Sequence, residues 1–228
     1  MPIVVAVIDV GYTNFALAIE KYQNKALKVL ISKYNKLPKN DKIIERRPHT
    51  PVLSTILREF YQASETCLLE LTDLNKGEKV GFCNQTRKNL DEYLKSKKKI
   101  LQRCDYIIIE RQFKTLGACN FSAILLGEST YSWMVFNLDV PVMYVPSHHK
   151  TCLLGCPRTV VSTLENGLRV AKDITKKDRK KWSTIKAIEI LTSRQDNFHI
   201  DYIKSRKSDD LSDTILMGLA WVLKRYVI

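Results

Sequence analysis

Four carboxylates stand where their chemistry could be shared. Asp9 closes the apolar run Ile3-Val-Val-Ala-Val-Ile8, and Glu110 closes Tyr106-Ile-Ile-Ile109. Asp210 and Asp213 lie three residues apart in Lys207-Ser-Asp-Asp-Leu-Ser-Asp213, at the start of an apolar helical stretch, so they share one helix face. A carboxylate that ends a strand has a plain explanation, since solvent begins there. Ser208 as N-cap and acids in a first turn suit a helix dipole, which accounts for Asp209 and Asp210. Asp213 is less easily explained, because Asp is a poor residue one turn into a helix and the stretch beyond it is almost uncharged until Lys224. Four converging carboxylates repel one another unless a cation neutralises them. Hard divalent ions with oxygen ligands do this. Two such ions about 3.5–4 Å apart can activate water and stabilise a leaving oxygen in phosphodiester cleavage.

The elements that would position these acids follow from apolar periodicity. Continuous β-branched runs predict buried strands at 3–8 and 106–110, and further strands are expected at 15–20, 26–33 and 140–145. Helical spacing predicts helices over 52–71, 89–103, 121–138, 182–193 and 209–227. Residues 38–51 and 72–85 read as connections, and 151–180 as irregular and basic. Early strands followed by alternating helices and strands indicate an α/β domain with a mixed sheet. Ligands of such sheets sit beyond strand ends, where Asp9 and Glu110 are. The 121–138 helix is apolar on more than one face, which implies burial, with a spare face that could serve a dimer.

Composition sets the outer bounds. The chain has 228 residues, 45% apolar, enough for a core and too apolar for a disordered chain. Lys plus Arg exceeds Asp plus Glu by 37 − 24 = 13. That excess favours a polyanion partner, most simply nucleic acid. No apolar run approaches the roughly 20 residues of a bilayer span, and the N-terminal run lacks a basic leader, so an intracellular, soluble protein is expected. The six cysteines form no CxxC pair, and the closest spacing, Cys152-xxx-Cys156, argues for reduced thiols rather than a zinc site.

Taken in order, Asp9-Val-Gly-Tyr-Thr-Asn14, Ile109-Glu-Arg-Gln112 and Lys207-Ser-Asp-Asp-Leu-Ser-Asp213 resemble the RuvC-like Holliday junction resolvases. Within that superfamily they are most similar to the poxvirus and iridovirus type. Val145-Pro-Ser-His-His-Lys150 resembles the segment where the family places a catalytic lysine. The resemblance implies a ribonuclease H-like fold, with a mixed five-stranded sheet flanked by helices. It implies a single nuclease domain over residues 1–228, with an insertion at about 35–88. It also implies a homodimer that nicks four-way DNA junctions symmetrically, in recombination or concatemer processing. Carried over by position, Asp9, Glu110, Asp210 and Asp213 would hold Mg²⁺ or Mn²⁺, two ions in all, and Lys150 would stabilise charge at the scissile phosphate. A viral source would place the protein at the site of viral DNA replication.

Candidate DNA contacts are Asn14, Arg111, Lys177, Lys180 and Lys181. The last three come from Lys172–Lys181, whose six bases and two acids give a local net charge of 6 − 2 = +4. Such contacts supply affinity rather than sequence choice. His148 or His149 could assist proton transfer. Lys97–Lys99 reads as a solvated helix face. Three alternatives stay open. The Asp9-to-Thr13 loop matches the Asp-x-Gly-x-Thr of actin-like ATP-binding folds. The fold could also be a catalytically inactive junction-binding protein, or a flap or hybrid nuclease.

Overall fold

The computed structural model describes residues 1–76, 82–112, 121–163, 169–206 and 209–228. Ser208, expected as an N-cap, and Cys119 lie outside the described residues.

The chain opens with β1 (Ile3–Asp9) and β2 (Phe15–Tyr22), paired antiparallel with Asp9 opposite Ala16. Next come α1 (Asn24–Asn35), α2 (Pro51–Gln62) and β3 (Ser64–Thr72). α3 (Asn84–Leu101) leads into β4 (Tyr106–Arg111), and α4 (Phe121–Asn137) into β5 (Val142–Pro146). A short α5 (His148–Leu153) precedes the hairpin of β6 (Thr159–Thr163) and β7 (Arg169–Asp173). Three helices finish the chain: α6 (Lys176–Ser193), α7 (Asn197–Arg206) and α8 (Asp209–Tyr226). The main sheet has the order β3-β2-β1-β4-β5; β1, β4 and β5 pair parallel, and β2 pairs antiparallel with both β1 and β3. This is the mixed five-stranded sheet flanked by helices that the sequence implies.

Several expectations about local structure are corrected. Residues 26–33 form part of α1 and not a strand. Leu27, Leu30 and Tyr34 are buried at helical spacing, whereas Val29 is exposed. The expected helix 52–71 stops at Gln62, and its second half is β3, an edge strand in register with β2 from Ser64↔Tyr22 to Thr72↔Phe15. Part of the stretch expected as an insertion is therefore built into the central sheet. Residues 151–180, expected as irregular, contain a hairpin, and α7 was not foreseen.

The sheet separates two apolar layers. Strand alternation sends Val5, Val7 and Ile108 to the layer containing α8, and Ala6, Ile8, Ile107 and Ile109 to the layer containing α3 and α4. Helix α8 lies directly on β1 and β2. A Cβ on Gly218 would come within 2.9 Å of Val7 Cγ2 and 3.1 Å of the Tyr22 hydroxyl, so this close seating requires glycine. Helix α4 buries Ala123, Leu126, Thr130 and Met134 on one side only. On the other, Val135 and Phe136 are exposed, so the expectation that it is buried all round does not hold. Among the described residues no helix is long and apolar enough to cross a membrane.

Candidate active site

Parallel pairing of β1 with β4 brings two carboxylates together. The register Ile8↔Ile109 puts the next residues, Asp9 and Glu110, side by side where both strands end. Asp9 shares side-chain parity with Val5 and Val7, and Glu110 with Ile108. Both therefore face the α8 layer. Along α8, Asp213 precedes Gly218 by five residues, or about 7.5 Å. Along β1, Asp9 follows Val7 by two residues, or about 6.6 Å. The close contact at Gly218 and Val7 thus sets Asp213 level with Asp9. Asp210 lies one turn earlier and is half-buried, and it contributes to the field at Asp9.

Lys150 comes from α5, which packs against α8 and buries Cys152 and Leu153 in the same core. Its residue exposure is 7%, matching Glu110 at 7% and Asp9 at 8%. The ammonium Nζ lies 2.6 Å from Asp213 Oδ2 and 3.3 Å from Glu110 Oε1. Burial works against a charged lysine, but Glu110, Asp213 and Asp9 outweigh it and push its pKa upward. Lys150 therefore remains an ammonium. Asp9 and Glu110 share a hydrogen bond and divide in their acidity. Burial, then the charge of Glu110, raises Asp9 well above the ordinary carboxylate range. Burial also opposes ionisation of Glu110, yet Lys150 and the bond from Asp9 hold it below its usual value. Burial raises Asp213 despite the attraction of Lys150. The cluster thus has more carboxylates than its one lysine can neutralise.

The donor set suits a hard divalent cation. Its ligating groups are all carboxylates, and Asp213 Oδ1 is buried with no hydrogen-bond partner. Among the described residues no three His, Cys, Asp or Glu are already drawn up around a metal position. The Lys150 ammonium stands between Glu110 and Asp213 instead.

A cavity of about 610 Å³ opens beside the cluster, and Glu110, Lys150 and Asp213 form its floor. Of the candidate DNA contacts, Lys180 lines it and pairs with Asp209 at 2.7 Å. Lys177 and Lys181 do not line it, because α6 turns residues 176, 179, 180 and 183 toward the cavity. Arg111 has the parity of Ile109 and faces the opposite layer. Asn14 is exposed on the β1–β2 turn, at the sheet edge shared with Asp9. His148 lines the cavity, while His149 lies 3.4 Å from Lys224. Sequence reasoning missed Arg46, Arg158, Lys176 and Arg179 in the cavity wall. Helical spacing from Lys180 could have found Lys176, but nothing local marks Arg46.

The backbone arrangement matches solved structures along nearly its whole length. A fowlpox virus resolvase bound to Holliday junction DNA aligns over 97% of this chain and 98% of its own, at 13% identity and a TM-score of 0.52. Thermus thermophilus RuvC with a Holliday junction substrate aligns over 98% and 96%, at 11% identity and a TM-score of 0.51. The fold is that of the RuvC-like resolvases. No protein-family model and no curated protein matches the sequence. At such low identity the likeness shows the fold, and the chemistry has to be argued from the side chains.

Proposed function

We propose that this chain is a metal-dependent endonuclease that resolves four-way DNA junctions by paired, symmetric nicks, acting as a single nuclease domain over residues 1–228. One observation carries the reading. An acid cluster left short of positive charge, at the C-terminal edge of β1 and β4, forms the floor of a cavity walled by Arg and Lys. A polyanion needs the wall, and the acids need a cation.

Asp9, Glu110, Asp210 and Asp213 would hold Mg²⁺ or Mn²⁺. Bound there, two ions would supply an activated water and offset charge on the leaving oxygen. The residues of the chain do the rest. Burial beside Glu110 favours the protonated form of Asp9, which would lose that proton on becoming a ligand. Lys150, kept protonated by its carboxylate neighbours, keeps a positive charge at the cavity floor, where it would stabilise charge on the scissile phosphate. The buried β1 and β4 strands hold Asp9 and Glu110 rigidly. The solved junction complexes that share the fold support the four-way junction as substrate. A pair of symmetric nicks needs two active sites, which favours a homodimer. The exposed Val135 and Phe136 on α4 offer an apolar face for it.

Nicking assays on a synthetic four-way junction, a flap and an RNA/DNA hybrid, each with Mg²⁺ and with EDTA, test the reading. Junction cleavage at least about tenfold faster than the others, abolished by EDTA, is expected. A preference for the flap or hybrid would move the reading to another nuclease of the same fold. ATP binding with no cleavage of any substrate would favour the actin-like alternative.

A further inference from the structure

The segment between α1 and α2 is fastened to the helix that carries Lys150. His49 Nε2 donates to the Leu153 carbonyl at 2.9 Å, and the Arg46 backbone N–H donates to the Cys152 carbonyl at 3.0 Å. Gly155 completes the joint. Its φ is +85°, and a Cβ there would come within 3.2 Å of His49. Arg46 itself has φ 59°, a left-handed conformation that costs a non-glycine residue about 1 kcal/mol or more. Its Nε rests on Cys152 Sγ at 3.5 Å, and its side chain lines the cavity beside the acids.

The other cations in that wall come from separate places. Arg158 lies between α5 and the hairpin, and Lys176 and Arg179 on the first turn of α6. Across the whole lining, six Lys and Arg face three carboxylates. Two of those carboxylates, Glu110 and Asp213, are already held by Lys150, and Lys180 is held by Asp209. Arg46, Arg158, Lys176 and Arg179 are left with Asp173 as the one lining carboxylate, and none of them makes an ion pair among the described residues. Among the described residues the Arg179 side chain donates to the Ile174 carbonyl alone. All four side chains are solvent-exposed, so water screens their mutual repulsion and leaves them free to meet an anion. Arginine forks match the paired oxygens of a phosphodiester.

We infer that Arg46, Arg158, Lys176 and Arg179 form a phosphate-binding subsite for the nucleic-acid backbone adjoining the scissile position, and that the 38–50 segment serves to deliver Arg46 to it. The inference rests on the nuclease reading for its ligand. It assigns the strand's path to the α6 side of the acids, a placement that reading leaves open.

The test is the salt dependence of junction binding in EDTA, where no strand is cut. Each lost phosphate contact lowers the slope of log affinity against log salt by about 0.7–0.9. Arg46→Ala and Arg158→Ala should each show that decrease. Lys98→Ala, on the far face of α3, should keep the wild-type slope. Arg158 is exposed and unpaired among the described residues, so its variant folds even if Arg46→Ala disturbs the joint with Cys152. Wild-type slopes in both arginine variants overturn the subsite. If both slopes fall but no four-way junction is ever nicked, the subsite stands and the junction reading fails. Junction nicking with unchanged slopes does the reverse, and no DNA binding at all overturns both.

Discussion

The core contains two buried charge clusters that differ in kind. Glu20 on β2 and Arg194 at the end of α6 have side chains 0% and 2% exposed, with Nη1 and Oε2 2.8 Å apart. Arg194 also donates to Thr66 Oγ1 on β3 at 2.6 Å. One anion meets one cation there, and neither residue lines the cavity beside the acids. At the other cluster, a single lysine faces Asp9, Glu110 and Asp213, and two of these acids, Glu110 and Asp213, line a cavity with it. Burial of charge is common to both, so burial alone does not mark a site. What distinguishes the second is an imbalance left open to solvent. A balanced closed pair joins elements of the fold, whereas an unbalanced open cluster has room for something to bind.

That contrast predicts opposite responses to mutation. The largest effect belongs to the closed pair. Arg194→Met strands Glu20 and should lower stability by about 3–5 kcal/mol, with Glu20→Gln in the same chain restoring much of it. Urea denaturation measures this, and nicking per folded molecule should stay at the wild-type value. Lys150→Met should cost less, about 1–3 kcal/mol, because water and protons reach the acids it abandons. Without Lys150, Glu110 loses the charge that holds its pKa down, and the raised values of Asp9 and Asp213 rise further. The penalty is therefore full at neutral pH and fades as pH falls through the carboxylate range. Thermal melts at pH 4 and pH 7 would show it, and Mg²⁺ should recover part of the loss at pH 7. The smallest effect has the opposite sign. Asp9 is raised well above its ordinary value, so keeping it ionised opposes folding above that value and not below it. Asp9→Asn should therefore stabilise the metal-free protein at neutral pH by about 0.5–2 kcal/mol, with the gain vanishing in acid. A melting temperature for the Asp9→Asn variant at or below the wild-type value would mean that the cluster is not short of positive charge.

Parts of this arrangement were legible in the sequence because local patterns carry them. The β-branched runs ending at Asp9 and Glu110 define buried parallel strands, and Asp213 stands out as an acid one turn into an apolar helix. β3 was not legible. Ser64-Glu-Thr-Cys-Leu-Leu-Glu-Leu-Thr72 continues the helical spacing of α2, and only pairing with β2 makes it a strand. For α1, Val29 and Ile31 suggest β propensity, but packing selects the helical stripe Leu27, Leu30, Tyr34. The phosphate wall was the least visible. Its cations come from three segments distant in sequence, and the Lys172–Lys181 run mixes residues that face the cavity with Lys177 and Lys181, which do not.

The account stands most directly on nicking of a four-way junction with Mg²⁺ by the wild type, Asp9→Asn, Glu110→Gln and Asp213→Asn, each shown to be folded by its melting curve. Each substitution should slow nicking by about a thousandfold, equivalent to roughly 4 kcal/mol of transition-state stabilisation. Folded variants that cut at the wild-type rate would contradict the assignment of this acid cluster as the active site.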